Sequence, residues 1–372
     1  MRILHLGFED HRRPGSGGGS LRNAEINRRL AERHRITVLV ANYRGARRRV
    51  EDGVEYIPVG LPLGYFPSLI SYFLLVPLVA RGCPADLVVE EFAAPMSSVL
   101  TPLWTRRPTL AVVQWMNSWE KSRQYHLPFF LFEMLGVRLH RRFVTVSEDM
   151  RDRIRAASPR SVVDVVPNGV AVPELAPGLR RGRDIVYLGR LEIAQKGLDL
   201  LLVAFARIAL RIDGNLVIAG DGPDRRALEK QAAGLGIGHR VRFAGRVGGA
   251  AKFELLARAR VTVMPSRFET FGIVAVEALS VGTPVVAFDI PCLRAVVPPD
   301  CGRLVPPFDS GRLAEAVLDL YDDEPRRARM GAQGREFVRQ FDWDQIAAQQ
   351  EQTYEDVVRE GRAARPEPGR AR

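Results

Sequence analysis

Apolar runs of strand length alternate with helical stretches along this chain, and near the middle the alternation stops and starts again. In the first half the predicted strands are Arg2–Phe8, Ile36–Ala41, Val54–Val59, Asp86–Glu90, Thr109–Gln114, Phe143–Val146 and Val162–Val166. Helices are expected at Ser20–Glu32, Pro67–Ala80, Leu127–Leu139 and Glu148–Ala157. Strands that are apolar throughout, separated by helices, fit a parallel sheet covered on both faces. A proline- and arginine-rich stretch, Ala171–Arg183, reads as a linker. Strands then resume at Asp184–Leu188, Asn215–Ala219, Val241–Ala244, Val261–Met264 and Pro284–Phe288. Helices are expected near Lys196–Arg211, Pro223–Ala233, Ala250–Ala259 and Gly272–Ser280.

A single core seldom grows beyond about 250–300 residues, so 372 residues leave room for two. The prediction is an α/β protein of two facing, Rossmann-like, doubly wound domains with a central cleft at the carboxyl ends of the strands. The expected divisions are 1–170, a linker at 171–183, 184–340, a C-terminal helix at 341–361 and a disordered tail at 362–372.

Composition narrows the setting. Three cysteines, Cys83, Cys292 and Cys301, have no spacing that suggests a disulfide framework or a zinc site. The chain opens directly on a strand, so no leader peptide is expected and a cytoplasmic location is predicted. The most apolar run, Tyr65–Ala80, is shorter than the ~20 residues of a spanning helix and carries Pro67 and Pro77. It reads as a core or interfacial helix. Formal net charge is +11, almost all of the basic residues being arginine. Arg44, Arg47, Arg48 and Arg49 form one cluster and Arg138, Arg141 and Arg142 another, which suits anionic lipid or phosphorylated substrate as well as plain solvated loops. No nucleic-acid partner is expected.

The segment Pro265–Leu279 carries the chemistry. Glu269 lies just before a predicted helix, Gly272 at its start and Glu277 two turns in. Carboxylates accept hydrogen bonds from hydroxyls, and the free amides of a first helical turn favour anions. A nucleotide sugar carries both kinds of group. Around these residues lie Gly282-Thr283-Pro284, Gly189-Arg190-Leu191, Lys196-Gly197, Gly220-Asp221-Gly222-Pro223, Phe243-x-Gly245 and Val166-Pro167-Asn168-Gly169-Val170. Glu269-x7-Glu277 with Gly282-Thr283-Pro284 resembles the donor site of family 4 glycosyltransferases, the motifs from Gly189 to Gly245 fall in the order that family shows, and Val166–Val170 resembles the signature closing its first domain. Those enzymes have the GT-B fold and retain anomeric configuration. The resemblance runs over nearly the whole chain and is tightest from Val144 to Pro307.

The resemblance implies residue roles. Arg190 and Lys196 would neutralise the departing diphosphate without an essential metal, and no cofactor is implied because the nucleotide sugar is a substrate. Glu269 would hold the sugar hydroxyls, and Glu277 the ribose hydroxyls. Thr270, Phe271, Gly272 and Ile273 would face the phosphates, with Gly189, Arg246 and Val247 completing the donor side. In the first domain, Gly18 belongs to the run Gly15–Ser20, which would lie over the donor phosphates. Gly220-Asp221-Gly222 fits a purely structural turn equally well. Asp342-x-Asp344 is read as a helix cap rather than a metal motif.

One departure from the family pattern stands out. Many relatives carry a histidine after the strand corresponding to Thr109–Gln114; here the stretch reads Val113-Gln114-Trp115-Met116-Asn117-Ser118. Gln114 and Asn117 remain as acceptor-side candidates able to position a hydroxyl but not to take a proton. In transfer of this type the leaving phosphate is usually described as accepting that proton. Glu90 and Glu91 are expected as a solvated strand end, and His5 as a core histidine.

The expected activity is transfer of a hexosyl residue from a UDP- or GDP-sugar to a glycan or lipid-linked acceptor, in cell-envelope or exopolysaccharide synthesis. The aromatic stretch Leu127–Arg138, ending in its arginine cluster, is the expected site of any peripheral membrane contact. A nucleotide-sugar epimerase of the same fold and a non-catalytic sugar-nucleotide-binding homologue remain as alternatives.

Overall fold

The computed structural model describes residues 1–13, 16–93, 99–116, 118–126, 128–171, 174 and 178–363. The chain divides into two compact units, Met1–Gly169 with Trp343–Arg372, and Val170–Asp342.

Unit 1 is built on β1 (Arg2–Phe8), β2 (Arg35–Ala41), β3 (Arg49–Glu51), β4 (Val54–Val59), β5 (Leu87–Glu91), β6 (Thr109–Val113), β7 (Arg142–Thr145) and β8 (Val162–Val165). Their order is β3-β4-β2-β1-β5-β6-β7-β8, and every pairing is parallel except β3 with β4. The three-residue β3 was not expected; it is too short for a pattern and is held by its antiparallel pairing at the sheet edge. Alternate residues bury against opposite layers. Ile3 packs with Ile26, Leu30, Ile346 and Tyr354 under the helices Gly18–Leu30 and Trp343–Ala363. Leu4 and Leu6 pack with Tyr72 and Val76 of the helix Tyr65–Arg81. Ala111, Val113 and Phe143 meet Val137 of the helix Phe129–Leu139. Val88, Glu90 and Ala111 share one face through the β5–β6 register, so the Tyr65–Arg81 and Phe129–Leu139 helices cover the same side of the sheet. The helix at Ser118–Tyr125 was not expected either.

Unit 2 contains β9 (Ile185–Leu188), β10 (Leu216–Ala219), β11 (Val241–Gly245), β12 (Val261–Met264), β13 (Val285–Phe288) and β14 (Gly302–Val305), ordered β11-β10-β9-β12-β13-β14 and all parallel. Numbered within the unit this is 3-2-1-4-5-6, the doubly wound order of dinucleotide-binding sheets. β9, β10, β12 and β13 are buried along their whole length, because helices cover both faces.

Two expectations need correction here. The helix anticipated over 196–211 is two pieces, Ile193–Lys196 and Leu198–Ile208, parted by Gly197 at φ +63°. Glu90 is not a solvated strand end: it is fully buried, in the middle of the sheet face. Its carboxylate accepts from the Val99 amide at 3.0 Å, the Thr101 amide at 2.8 Å and the Thr101 hydroxyl. His140 Nε2 stands 3.3 Å away. Burial pushes this carboxyl up, but His140 and the Thr101 donors outweigh it and hold it below its ordinary value. Glu90 thus ties Val99 and Thr101 to β5. At the other end of the expected linker, Gly182 N donates to Arg258 O at 2.7 Å and Arg181 to Thr283 Oγ1 at 2.9 Å.

Candidate functional site

In unit 2 the winding of the sheet reverses between β9 and β12, which pair although β10 and β11 separate them in sequence. Loops leaving the carboxyl ends of two such strands diverge, and a ligand crevice opens there. Gly189-Arg190-Leu191 leaves β9, and Pro265–Gly272 leaves β12.

The β12 loop is fastened to the two helices that follow the β9 loop, Ile193–Lys196 and Leu198–Ile208, and to Gly197 between them. Arg267 N donates to Gln195 O at 2.9 Å. The Arg267 guanidinium reaches both Asp199 oxygens at 2.8 Å and Ile193 O at 2.7 Å. At Gly197 a Cβ would stand 2.1 Å from Pro265 O, so only glycine permits this approach. The result is a fixed position for Lys196, whose Nζ donates to Glu269 Oε1 at 2.6 Å. Ser266 Oγ donates to the same oxygen at 2.8 Å. Arg190, by contrast, is 66% exposed, with Nε 3.4 Å from Glu192 Oε2. The structure therefore brings Lys196 and Glu269 into contact and leaves the Arg190 side chain in solvent beside Glu192.

Below Arg190, the buried Tyr187 hydroxyl donates to its carbonyl at 2.9 Å, and burial drives that phenol far above its ordinary pKa. Gly189 N donates to Ala219 O at 2.9 Å. The Gly220–Pro223 turn binds the same loop, Leu191 N donating to Asp221 O at 3.0 Å and Asp224 N to Leu191 O at 3.1 Å. That is a structural role. The helix there starts at Arg225, two residues beyond Pro223.

The β12 loop ends at Gly272, with φ +88°, which caps the helix Ile273–Ser280. A Cβ there would stand 2.4 Å from Leu293 Cδ2. The amides of Ile273 and Val274, in the first turn, have no acceptor within the helix. Phe271 is buried edge-on against Phe341, with ring centroids 5.7 Å apart, and Thr270 is half-buried. Glu277 is buried and accepts from Lys252 Nζ. Burial raises the Glu277 carboxyl above its ordinary value, and the Lys252 charge opposes that rise. Arg246 is exposed and Val247 half-buried in the segment leading to the Gly249–Arg258 helix, which carries Lys252.

In unit 1 the corresponding reversal falls between β1 and β5. Gly18 opens the Gly18–Leu30 helix, and Gly17 N before it donates to Glu9 Oε2 at 3.0 Å. Gln114 follows β6, its Nε2 donating to Glu91 Oε2 at 2.9 Å. Its amide lies over Gly19, where a Cβ would come within 3.2 Å of Gln114 Oε1. Glu91 Oε1 in turn lies 3.1 Å from the buried His5 Nε2, and His5 Nδ1 lies 3.1 Å from Asn27 Nδ2. Asn117 lies outside the described residues.

Comparison with known proteins gives this geometry a family. Residues 179–337 match the family described as glycosyl transferases group 1, and residues 16–172 match Glycosyltransferase Family 4. The phosphatidyl-myo-inositol mannosyltransferase of Mycolicibacterium smegmatis is 38% identical over 290 residues, covering 75% of this chain and 73% of that protein. The chain belongs to glycosyltransferase family 4. The phosphatidyl-myo-inositol mannosyltransferase of Mycobacterium leprae is 40% identical over 205 residues, 53% of this chain; the match spans about half, 54%, of that relative. Among solved structures, a sucrose-phosphate synthase from Thermosynechococcus elongatus superposes with a TM-score of 0.81 at 21% identity, covering 96% of this chain and 99% of that one. Anabaena HepE in complex with UDP and glucose gives 0.77 at 20% identity, covering 96% and 100%. The fold of this family 4 glycosyltransferase is GT-B.

Several residues that shape this candidate site are not marked by the sequence. Ser266, Asp199 and Arg267 have no spacing that marks them, since Asp199 and Arg267 meet only across the switch point. Lys252 carried a compositional hint. The chain has only four lysines among its 54 basic residues, and two of them, Lys196 and Lys252, each meet a site glutamate.

Proposed function

We propose that this protein is a retaining hexosyltransferase that moves a hexosyl residue from a UDP- or GDP-sugar to a glycan or lipid-linked acceptor, in cell-envelope or exopolysaccharide synthesis. The Lys196–Glu269 pair at the sheet reversal, one loop before a helix N-terminus, is the observation that carries the reading. The relatives named mannosyltransferase and the fold-mate holding UDP and glucose support it.

On this reading the diphosphate takes Lys196 and the exposed Arg190 guanidinium as counter-charges, with no resident metal or cofactor. The first-turn amides of the Ile273–Ser280 helix receive the phosphate oxygens, with Gly272 permitting close approach. Glu269, steadied by Ser266, accepts a sugar hydroxyl, and Glu277 accepts the ribose hydroxyls. As the bond from anomeric carbon to phosphate oxygen breaks, the acceptor oxygen bonds to that carbon on the same face. Its proton passes to the departing phosphate. Gln114 only orients hydroxyls, because an amide takes no proton at neutral pH. On the lipid-linked-acceptor reading the proposed location is cytoplasmic, with a peripheral contact at the inner face of the membrane.

A panel of nucleoside diphosphates and their sugars, read by thermal shift, tests the donor assignment, since a ligand of the native state raises stability. Transfer from the stabilising sugar nucleotide to glycan or polyprenyl-phosphate acceptors tests the reaction. Isomerised sugar in the absence of acceptor would mark an epimerase instead. No shift with any sugar nucleotide would remove the donor assignment.

A further inference from the structure

Helix Tyr65–Arg81 has two apolar sides and no polar one. Ser68, Tyr72, Val76 and Ala80 form a ridge buried against the sheet. Half a turn round, Phe66, Ile70, Leu74 and Leu78 form a second ridge, between 58% and 69% exposed. Residues 61–80 contain no charged side chain, whereas the outer side of a surface helix is ordinarily polar. The loop before the helix extends the ridge, since Leu61 N is held by Ser71 Oγ at 2.8 Å while Leu61 and Leu63 stay exposed.

The exposed ridge has a cationic border. Ser68 Oγ donates to Asn42 O, which places the exposed Arg44 and Arg47 beside the start of the helix. Arg13 sits over the Tyr65 ring at 5.4 Å. None of these three arginines makes an ion pair among the described residues. On the same side of the sheet, the Phe129–Leu139 helix turns Leu131, Phe132 and Leu135 outward, with Arg138 and Arg141 exposed at its C-terminal end. Contiguous apolar surface of this kind marks an interaction site.

We infer that this face of unit 1 docks on an anionic phospholipid bilayer, with Phe66, Ile70, Leu74 and Leu78 entering the acyl boundary and the arginines meeting headgroup phosphates. The inference rests on the lipid-linked-acceptor reading and names the surface that serves it. Two features favour a bilayer over a protein. The ridge is the convex side of a helix rather than a groove, and its border is cationic rather than a mixed hydrogen-bonding rim. No described helix is long and apolar enough to cross a membrane, so the contact lies in the plane of the interface. The expected contact at 127–142 becomes the smaller part of this surface.

The test is cosedimentation of the full chain with vesicles of phosphatidylcholine alone and of phosphatidylcholine mixed with phosphatidylglycerol. Wild type is expected to bind the mixed vesicles and not the neutral ones. Arg44→Ala/Arg47→Ala binds roughly 30-fold more weakly, from about a fivefold contribution per arginine near an anionic surface. Ile70→Glu/Leu74→Glu loses on the order of 100-fold or more. Nucleotide-induced thermal shift in the same variants checks that they fold and keep the donor site. Wild type free of both vesicles, or unchanged binding by Ile70→Glu/Leu74→Glu, overturns the proposal while an intact nucleotide shift leaves the transfer reading standing. A concentration-dependent dimer abolished by Ile70→Glu/Leu74→Glu would assign the face to a second copy and overturn it equally. Vesicle binding without any nucleotide shift would remove the transfer reading alone.

Discussion

Lys196 Nζ and Glu269 Oε1 lie 2.6 Å apart across the point where the unit 2 sheet reverses its winding. They lie 73 residues apart in sequence, one ending the short helix Ile193–Lys196 and the other in the β12 loop, locked by the Arg267–Asp199 pair and by the approach of Gly197 to Pro265. A partly buried pair of opposite charges adds little to stability by itself. Its value lies in presenting a cation and an acceptor at fixed positions before a ligand arrives.

Lys196→Ala and Glu269→Ala are therefore expected to lower kcat for hexosyl transfer by about 100-fold or more each, with small changes in melting temperature. The double variant should be less damaged than the product of the two, because paired groups act as a unit. Steady-state rates on all four proteins of the cycle decide this. Multiplying effects would show that the two side chains serve independent tasks.

Gly272→Ala meets two obstacles, a φ of +88° and a methyl 2.4 Å from Leu293 Cδ2. The expected cost is about 1–3 kcal/mol of stability. Loss of nucleoside diphosphate affinity should accompany it, since the loop must shift away from the amides of the first turn. Chemical denaturation and calorimetric titration measure the two effects, and an unaltered affinity would place the phosphates elsewhere.

Burial raises the Glu277 carboxyl and Lys252 restrains it. In the free protein a raised carboxyl contributes stability that is complete below its ordinary range and is lost as pH rises through the raised value. Glu277→Gln should accordingly melt no lower than wild type at neutral pH without ligand, since Lys252 can swing into water. It should still lose stabilisation by nucleotide. Lys252→Met removes the charge that opposes the rise and moves the carboxyl higher still, so nucleotide affinity should fall off at a higher pH on acidification than in wild type. A pH-independent affinity in Lys252→Met would separate Glu277 from ligand binding.

Glu90 is held below its ordinary value, the opposite case. The stability it contributes is present above the ordinary carboxylate range and disappears as pH falls through its lowered value. Removing one member of such a buried cluster leaves the rest unpaired, and Glu90→Ala is expected to cost about 3–5 kcal/mol. Its acid-unfolding curve should flatten compared with wild type. Retention of donor-site nucleotide binding in unit 2 would show that the damage is confined to unit 1.

Much of this protein could be read from the chain alone. Apolar runs bounded by turn residues mark strands, and the sequence places β1, β4 and β12 with their observed ends. Glu269, Gly272 and Glu277 were recognisable because a loop, a cap and a helix turn are local events with fixed spacing. Short elements such as β3 and β14 were invisible, since neighbours rather than periodicity hold them. Only tertiary structure decided that Glu90 is sealed under Val99 and Thr101, that Lys252 answers Glu277, and that Gln114 rests on Glu91 above Gly19. It alone exposed the second ridge of the Tyr65–Arg81 helix, for hydropathy reads the same on the buried and outward sides. Local pattern specifies elements, whereas partners distant in sequence are specified by the winding of the sheet.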